Sequence, residues 1–548
     1  MATMPLMALA QQKNISVDSV GTLERQLPED VRFKIAELKV SGPLNGADLK
    51  LLGQIVTRTK VNKKLAGECL VTSIDLSEAV IVEGKAGMKT EANALPNGLF
   101  SGAKNLVKAI LPKYTVSIGR NCFDNCSALV EVSLPETLGT IGSNAFSDCT
   151  NLSDVRLPQY LTNIEHDAFE GCSKITVIEI PKSVVELGDN TFAGCESLTK
   201  VNVQGNIRKI GNGVFRDCKS LTSISLNDEI NEVGNSAFEN CKSLGSIDIS
   251  KVEKIGSNAF QECTSLQSIE LEGVKKIGNG AFKKCHNLTT VNIQGTLDEI
   301  GMETFADCGN LSELTLPDGI KKIESRVFEN CKSLSEITLP GALTKMNDHV
   351  FENCSSLKYI LIPASVKDMG SSIFENCSSL DSVDIKGFIE EIESDAFRGC
   401  HNLKSISLPV SVKKIGSKAF QECAALTSIT LPITLLSIGN SAFEKCATLQ
   451  SITIPAAVNE IGSDAFRDCS LLVSAELSVS LKEIGGGAFS KCVSLREVSV
   501  NAPLPPKISK STFKDVVLGA CRFYVPKGCR NSYVQDKQWC KIPQLIER

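Results

Sequence analysis

Apolar and polar positions recur along most of the chain with a fixed period. Between residues 95 and 500 the sequence repeats the pattern I-G-x-x-A-F-x-x-C-x-x-L-x-x-I-x-L-P, and an aligned cysteine returns every 23 residues, apart from two steps of 22. Seventeen copies carry this cysteine, an earlier copy near Phe100 has Ala103 in its place, and a degenerate copy follows at Phe513. Such a period is typical of solenoids and other repeat arrays.

The spacing inside one copy predicts its local structure. The I-x-L positions alternate apolar, polar and apolar, as in a short strand with one buried face. Phe and Cys lie three residues apart, which is the spacing of one helical face, so we expect a short helical or 3₁₀ segment there. The glycine after Ile allows a tight turn or a positive φ.

A single 23-residue unit cannot bury its apolar face alone, whereas stacked units bury a shared core. We therefore expect an α/β solenoid of about 18 coils over residues 95–500, with neighbouring strands about 4.8 Å apart. A parallel β-sheet would form one face and the short helical or 3₁₀ segments the other. Caps are expected at both ends, because terminal coils would otherwise expose the core.

The flanking segments have the features of such caps. In the predicted N-terminal cap, residues 11–94, Ala47–Val56 reads as an amphipathic helix. In the predicted C-terminal cap, residues 501–548, we expect a strand at Cys521–Val525 and a helix around Arg530–Trp539. Strand-like matches in the N-terminal cap occur at Ile35, Leu38 and Val40 and at Val71, Ile74 and Leu76.

The N-terminus suggests export. Residues 4–10 are apolar, and Ala8-Leu9-Ala10 has the A-x-A form that precedes signal-peptidase cleavage. We expect residues 1–10 to be the remnant of a signal peptide cleaved after Ala10, which would make the protein secreted or exposed at the cell surface. The alternative is a disordered cytosolic N-terminus. No run approaches the ~20 apolar residues of a membrane-spanning helix, so no transmembrane segment is expected.

Composition and motifs narrow the function classes. The chain has 58 Lys and Arg against 63 Asp and Glu, a formal net charge of -5, which disfavours a nucleic-acid partner. The sequence contains no G-x-S-x-G, H-E-x-x-H or P-loop motif, and we expect neither catalytic residues nor a cofactor. Each histidine falls in the polar part of a different repeat, so we expect solvated side chains and no metal site. These are His166, His286, His349 and His401.

The 22 cysteines call for a separate interpretation. In a parallel stack the aligned Cβ atoms lie nearly 5 Å apart, beyond the ~3.8 Å typical of a disulfide, so we expect small buried apolar residues. Zinc sites need closely spaced Cys pairs or Cys with His, which the aligned cysteines lack. Cys521, Cys529 and Cys540 share the C-terminal cap, where one bridge is plausible, with Cys521 and Cys540 as one possible pair.

The polar strand positions predict a surface that we call the strip: the residue between I and L and the residue just before I. Acids outnumber bases there, since only Arg156 and Lys200 are basic, and Ser and Thr fill most other positions. The acids are Glu131, Asp154, Glu179, Asp248, Glu270, Glu313, Glu336, Asp384, Glu476 and Glu497. Tyr359 and Leu361 add apolar bulk to the strip beside Lys358.

The strip has two interpretations. Its charge either keeps a long sheet soluble or recruits a basic segment of a protein partner. For the second, the candidate binding residues are Tyr359, Leu361, Glu313, Glu336, Glu270 and Asp248. Basic pairs that precede many I-G turns are expected on a different flank. They are Arg208-Lys209, Lys275-Lys276, Lys321-Lys322 and Lys413-Lys414.

The recurring A-F-x-x-C-x-x-L-x-x-I-x-L-P signature over residues 95–515 resembles BspA-like leucine-rich repeats, and the tail "YVPKG" followed by Tyr and Trp resembles the closing segment of many bacterial members. The resemblance implies a bacterial or protist protein, exported or surface-attached and associated with adhesion. We therefore expect a monomeric, non-enzymatic protein that binds a protein ligand, such as a host extracellular matrix or cell-surface protein with a basic segment. The alternatives are a structural envelope scaffold without a defined ligand and a glycan-binding receptor.

Overall fold

The computed structural model describes residues 11–32, 34–57 and 70–548. The chain divides into two compact units, Met1–Ile269 and Glu270–Arg548. In both units successive coils place parallel strands side by side, which confirms the predicted parallel solenoid. Register follows the repeat, so equivalent residues pair: Val201 with Ile224 in the first unit and Val383 with Ile406 in the second.

Most coils contribute strands to two kinds of parallel sheet. The major sheet consists of the I-x-L segments and the equivalent strands of the caps, and it carries the strip. The minor sheet consists mostly of two-residue strands that end at the apolar residue before the recurring glycine, and it was not predicted. Four copies have no major strand, at residues 153–157, 244–249, 334–339 and 426–431.

In the first unit the major strands are Gln11–Ser16, Ile35–Leu44, Ser73–Asp75, Lys108–Ile110, Glu131–Ser133, Val177–Ile180, Lys200–Val203 and Ser223–Ser225. Its minor strands are Ala94–Leu95, Ser117–Ile118, Thr140–Ile141, Asn163–Ile164, Glu186–Leu187, Lys209–Ile210, Glu232–Val233 and Lys254–Ile255. A further strand, Ala79–Ile81, pairs with the end of Ile35–Leu44. The major strand Ser268–Leu271 contains the sequence boundary between the units.

In the second unit the remaining major strands are Thr290–Ile293, Glu313–Thr315, Tyr359–Ile362, Ser382–Ile385, Ser405–Ser407, Ser451–Thr453, Ser474–Leu477, Glu497–Val500, Arg522–Val525 and Leu545–Glu547. The minor strands are Lys276–Ile277, Glu299–Ile300, Lys322–Ile323, Lys345–Met346, Asp368–Met369, Glu391–Ile392, Lys414–Ile415, Ser437–Ile438, Glu460–Ile461 and Glu483–Ile484.

The core of each unit contains a stack of phenylalanine rings. The recurring Phe is buried in every copy, and most rings lie nearly parallel to their neighbours, although the rings of Phe100 and Phe123 are tilted by 37°. In the second unit ring centroids are 5.2 Å apart between Phe443 and Phe466 and 5.9 Å apart between Phe305 and Phe328. This spacing suits offset stacking, which adds to the free energy gained by removing the rings from water.

The aligned cysteines are buried free thiols, as predicted. The thiol also makes a contact that was not predicted: Cys354 Sγ donates to the Phe328 carbonyl of the preceding coil at 3.1 Å, and most of the other aligned cysteines repeat this geometry. Burial raises the pKa of most of these thiols, to about 12 for Cys492. They are therefore packing residues that also bind one carbonyl between coils.

The A-F-x-x-C segment is a series of turns, and residues 95–500 contain no helix. In the coil of Phe351 the left-handed residues His349 (φ 61°) and Asn353 (φ 59°) flank the ring, and most other copies have the same pair of positions. The N–H of Phe351 donates to the Ile373 carbonyl of the next coil at 2.9 Å. Because these amides bond between coils, the expected short helical segments do not form.

The recurring glycine serves close packing between coils. Gly370 does not have a positive φ, and a Cβ added there would lie 2.4 Å from the carbonyl carbon of Asn347 and from the nitrogen of Asp348. Gly188 is similar, with His166 N at 2.3 Å. The sequence offered two reasons for this glycine, a tight turn or a positive φ. The prediction of a positive φ is wrong at Gly370 and at Gly188.

The N-terminal segment has true helices, Leu23–Gln26, Glu29–Arg32 and Gly46–Thr57, and the last covers the predicted helix at 47–56. Asp48 is buried, and its carboxylate accepts bonds from the amides of Gly21 (2.6 Å) and Leu23 (3.1 Å). The proposed signal-peptide remnant, residues 1–10, and Cys69 lie outside the described residues.

The C-terminal segment closes the second unit around a buried Trp539. Its helices are Arg530–Gln535 and two 3₁₀ turns, Leu518–Ala520 and Trp539–Lys541. Trp539 Nε1 donates to the Pro506 carbonyl at 2.6 Å, so the ring bonds the segment to the end of the repeats. None of the described helices is long and apolar enough to cross a membrane.

The cysteines of this segment do not form the suggested bridge. Cys521, Cys529 and Cys540 are all free, and Cys521 is buried whereas Cys540 is exposed. The two sulfur atoms face different environments, so the suggested pairing of Cys521 with Cys540 is wrong for this structure.

Candidate binding surface

The strip follows from the alternation of the major strands. In Tyr359–Ile362 the second and fourth side chains are buried, and the first and third face solvent. Parallel register places Tyr359 beside Ser382 and Leu361 beside Asp384 in the next strand. The side chains that face solvent therefore form rows across neighbouring coils.

Tyr359 and Leu361 are the apolar part of this surface. Their exposed fractions are 49% and 43%, although both lie on a strand whose other side chains are fully buried. Asp384, in register with Leu361, forms an ion pair with Lys386 at 3.0 Å. A tyrosine, a leucine and a carboxylate are thus presented together.

The acidic candidates of the second unit lie on the coils before Tyr359. Glu270 accepts a bond from Asn292 Nδ2 at 2.8 Å, and Glu313 accepts one from Thr290 Oγ1 at 3.3 Å. Glu336 is exposed in a copy without a major strand. Glu313, Glu336 and Tyr359 therefore lie on consecutive coils of the second unit, and Glu270 lies two coils before Glu313.

Asp248 belongs to the first unit and to another copy without a major strand. Its Oδ1 accepts bonds from the amide (3.1 Å) and hydroxyl (2.8 Å) of Ser250. These hydrogen bonds lower the pKa of the Asp248 carboxyl, which therefore stays ionised. The structure thus places Asp248 in a local turn of the first unit.

The basic pairs lie on and beside the minor sheet, apart from the strip, but they do not form a positive flank. In the second unit Lys413 pairs with Glu390 at 2.7 Å and Lys414 with Glu391 at 2.5 Å, in both cases across neighbouring coils. The first unit repeats this between Lys209 and Glu232. Exposed pairs of this kind contribute ~0–1 kcal/mol each, and they neutralise the flank.

A half-buried polar cluster surrounds His349, which is therefore not the solvated side chain that was predicted. Its Nδ1 lies 2.6 Å from Glu352 Oε2, and donor atoms of His349, Glu352 and Glu375 lie within 4.8 Å of one another. Such a set has the donors of a divalent-cation site. However, Arg326 lies 4.0 Å from Glu352 and Arg398 lies 3.1 Å from Glu375, so arginine side chains would compete with a cation for these carboxylates.

Sequence reasoning missed a cleft at the C-terminal end of the strip. About 680 Å³ in volume, it is lined by outward side chains of four major strands together with Arg548. Glu476, Glu497 and Tyr524 supply its charged and aromatic groups. The I-x-L alternation of "CRFYVP" indicated that Tyr524 extends the strip, whereas the return of Arg548 has no sequence signal.

Comparison with known proteins places this geometry in a family. A family model described as "BspA type Leucine rich repeat region (6 copies)" matches residues 93–218, 185–310, 298–424 and 390–518. Together these matches span well over half of the chain. Among curated proteins, none matches this chain.

Several solved structures are similar in fold. A leucine-rich repeat protein from Bacteroides ovatus ATCC 8483 is 26% identical over 76% of this chain and 92% of that chain, with a TM-score of 0.47. The T. pallidum leucine-rich repeat protein is 31% identical over 29% and 77% of the two chains, with a TM-score of 0.28. A leucine-rich cell surface protein from Faecalibacterium prausnitzii A2-165 is 20% identical over 79% and 87%, with a TM-score of 0.27.

The aligned Phe and Cys, the parallel strands and the family matches across residues 93–518 agree with one another. The chain belongs to the BspA-type leucine-rich repeat family.

Proposed function

We propose that the chain is a non-enzymatic protein-binding module that works outside the cell, secreted or at the cell surface, and mediates adhesion to host or other cells. The observation that carries the proposal is the exposure of Tyr359 and Leu361 on a strand whose alternate residues are buried. Tyrosine is enriched among the residues that dominate binding energy at protein interfaces. Neighbouring carboxylates would steer a positively charged partner toward this surface.

The partner is a protein with a basic segment, such as a host extracellular matrix or cell-surface protein, and the module acts as a monomer. Glu270, Glu313 and Glu336 are exposed on the coils that precede Tyr359. A lysine or arginine segment lying along the strip would meet these carboxylates before its apolar residues reach Tyr359. Nucleic acid would be repelled by the same charges.

Two features support a location outside the cell. One is the A-x-A pattern that ends at Ala10. The other is the burial of the aligned cysteines, because buried thiols are unreactive and the fold is therefore compatible with an oxidising environment. Fractionation of the source cells and sequencing of the mature N-terminus, expected at Gln11, test this location directly. Recovery of the protein in the cytosol with residues 1–10 attached would contradict it.

The binding role is tested by capture of immobilised host extracellular matrix proteins. Tyr359→Ala is expected to weaken saturable capture about 30-fold, because loss of a central interface aromatic typically costs at least ~2 kcal/mol. The matched control is Tyr160→Ala, which removes an exposed tyrosine outside both sheets. The double variant Glu313→Lys, Glu336→Lys should also weaken capture, and the loss should be larger at low salt than at high salt because salt screens the charges.

The same experiment separates binding from a purely structural role. An envelope scaffold without a ligand would show no saturable capture by the wild-type protein. If the wild type binds but the Tyr359 and glutamate variants bind equally well, the strip is not the binding surface. Circular dichroism of each variant verifies that the fold is retained.

A further inference from the structure

The cleft at the C-terminal end of the strip contains an arginine side chain supplied by the chain itself. The backbone N–H of Arg548 donates to the Val525 carbonyl at 3.0 Å, which directs the residue back over the major sheet. Its NH1 lies 3.4 Å from Glu497 Oε1, and its Cζ lies 5.4 Å from the centroid of the Tyr524 ring. The guanidinium therefore contacts a carboxylate and an aromatic ring at once.

These two contacts are the usual partners of a bound arginine. A guanidinium is planar and weakly hydrated, so it stacks on aromatic rings and pairs with carboxylates better than an ammonium does. Glu497 and Tyr524 belong to neighbouring major strands, where Glu497 pairs with Arg522 and Ser499 with Tyr524. The site is thus formed by the strip itself, and only its occupant comes from the returning segment.

Arg548 is held weakly enough to be displaced. Its side chain is 70% exposed and that of Glu497 is 44% exposed. An ion pair at this exposure contributes ~0–1 kcal/mol, and an exposed cation–π contact contributes about 0.5–1 kcal/mol. An arginine from another protein would regain both contacts.

The cleft has room and charge for more than this one side chain. Its volume of about 680 Å³ lies within the range of small-ligand sites. Glu476, one strand away from Glu497, supplies a second carboxylate, and its Oε1 accepts a bond from Asn501 Nδ2 at 3.3 Å. Ser474, Ser499 and Thr453 line the remaining surface with hydroxyl groups that can bond a peptide backbone.

We propose that this cleft binds arginine side chains of an extended protein segment, and that Arg548 fills the guanidinium position until a partner displaces it. The inference deepens the proposed function, since it identifies the basic partner as arginine-bearing and gives it a second contact on the strip. Arg548 then acts as an internal competitor that lowers the affinity for partners with a single arginine.

The test uses two peptides labelled at the N-terminus, fluorescein-Gly-Arg-Gly-Arg-Gly-amide and its lysine counterpart, with the full chain in fluorescence anisotropy. Arg548→Ala should tighten binding of the arginine peptide about tenfold, the combined strength of the two contacts that are released. The control Lys527→Ala removes the same charge from an exposed residue that does not line the cleft, and should change affinity less than about twofold.

Two further variants locate the bound guanidinium. Tyr524→Leu should weaken binding of the arginine peptide and abolish its preference over the lysine peptide, because the stacking surface is lost. Glu497→Gln should weaken binding more than Glu313→Gln, which makes the same charge change elsewhere on the strip. Equal effects of Arg548→Ala and Lys527→Ala, or of Glu497→Gln and Glu313→Gln, would overturn the site.

The outcome is separable from that of the proposed function. If neither the wild type nor Arg548→Ala binds the arginine peptide, the cleft is not an arginine site, while capture that depends on Tyr359 would still support the binding module. If the cleft variants behave as expected and Tyr359→Ala leaves capture unchanged, the arginine site stands and the centre of the binding surface moves to the cleft.

Discussion

The recurring glycine offers the sharpest test of how the coils pack, and Gly370→Ala is the change to make. A Cβ at this position would lie 2.4 Å from two backbone atoms of the preceding coil, Asn347 C and Asp348 N. Neither backbone atom can rotate away as a flexible side chain would. The N–H of Gly370 also donates to Met346 O at 2.9 Å, so the coils cannot separate without weakening the minor sheet.

The expected cost follows from this geometry. Overpacking by one methyl group destabilises a well-packed structure by ~1–3 kcal/mol. Replacing glycine also restricts the unfolded chain, which returns about 0.4–1 kcal/mol where the backbone conformation is compatible. We expect Gly370→Ala to lower the free energy of local unfolding by about 2 kcal/mol net. This value combines the upper part of the overpacking cost with the gain from the restricted unfolded chain, because both close contacts are with backbone atoms.

A matched control exists one coil earlier. Gly341 has nothing within 4 Å of the added Cβ and does not have a positive φ. Gly341→Ala should therefore stabilise the protein by about 0.5 kcal/mol. Gly370→Asn completes the comparison, because asparagine tolerates a left-handed backbone but carries the same Cβ.

Hydrogen exchange followed by mass spectrometry suits a repeat protein, whose coils can open locally. Amides of the coils around Gly370 should exchange about 30-fold faster in the alanine variant, the equivalent of ~2 kcal/mol. Unchanged exchange in Gly370→Ala, or rescue by Gly370→Asn, would refute the close-packing explanation and restore a conformational role for this glycine.

Three other outcomes are expected. Peptide mass mapping after iodoacetamide treatment of the native protein should find Cys529 and Cys540 modified and Cys308 unmodified, because Cys308 is buried and burial raises its pKa. Equal labelling of Cys308 and Cys540 would contradict the stacked core. Asn353→Ala should lower the free energy of unfolding by about 2–3 kcal/mol in urea denaturation, because it removes two side-chain hydrogen bonds to asparagines of neighbouring coils (2.9 and 3.0 Å) and strains a residue with φ 59°. Asn353→Gly should cost about 1 kcal/mol less, because glycine adopts this φ without strain. Burial and two neighbouring glutamates raise the pKa of Glu352 above its usual 4.5, so the folded state binds this proton more tightly than the unfolded state does. The folded state therefore loses stability as the pH rises from 4.5 through the raised pKa. Glu352→Gln should flatten that decline in thermal melts at pH 4.5 to 7.

Much of the fold was predictable from the amino-acid sequence alone. Each coil has the same interior, so every copy repeats the residues that face it, and the positions of Phe, Cys, Leu and Ile identify the buried face directly. The helix Gly46–Thr57 and the strand Arg522–Val525 were also predictable, because their apolar spacing is local. The exposure of Tyr359 and Leu361 followed from the same alternation.

The turn segment shows where this reasoning stops. Phe351 and Cys354 have helical spacing, yet left-handed residues at His349 and Asn353 turn the amides toward the next coil. Asparagine and glycine at the second position after Phe, in several copies, hinted at this conformation. Copies with Lys284 or Glu422 at the same position gave no such hint.

By itself, the sequence determined the period, the buried face, the cap elements and the family, because these depend on residues close together in the chain. Only the tertiary structure decided the minor sheet, the close approach at Gly370, the environment of each cap thiol and the cleft where Arg548 contacts Glu497. These features join residues at least one coil apart, and 51 residues apart in the cleft. Distances between coils depend on the path of the backbone in three dimensions, and the spacing of apolar residues in the sequence does not determine that path.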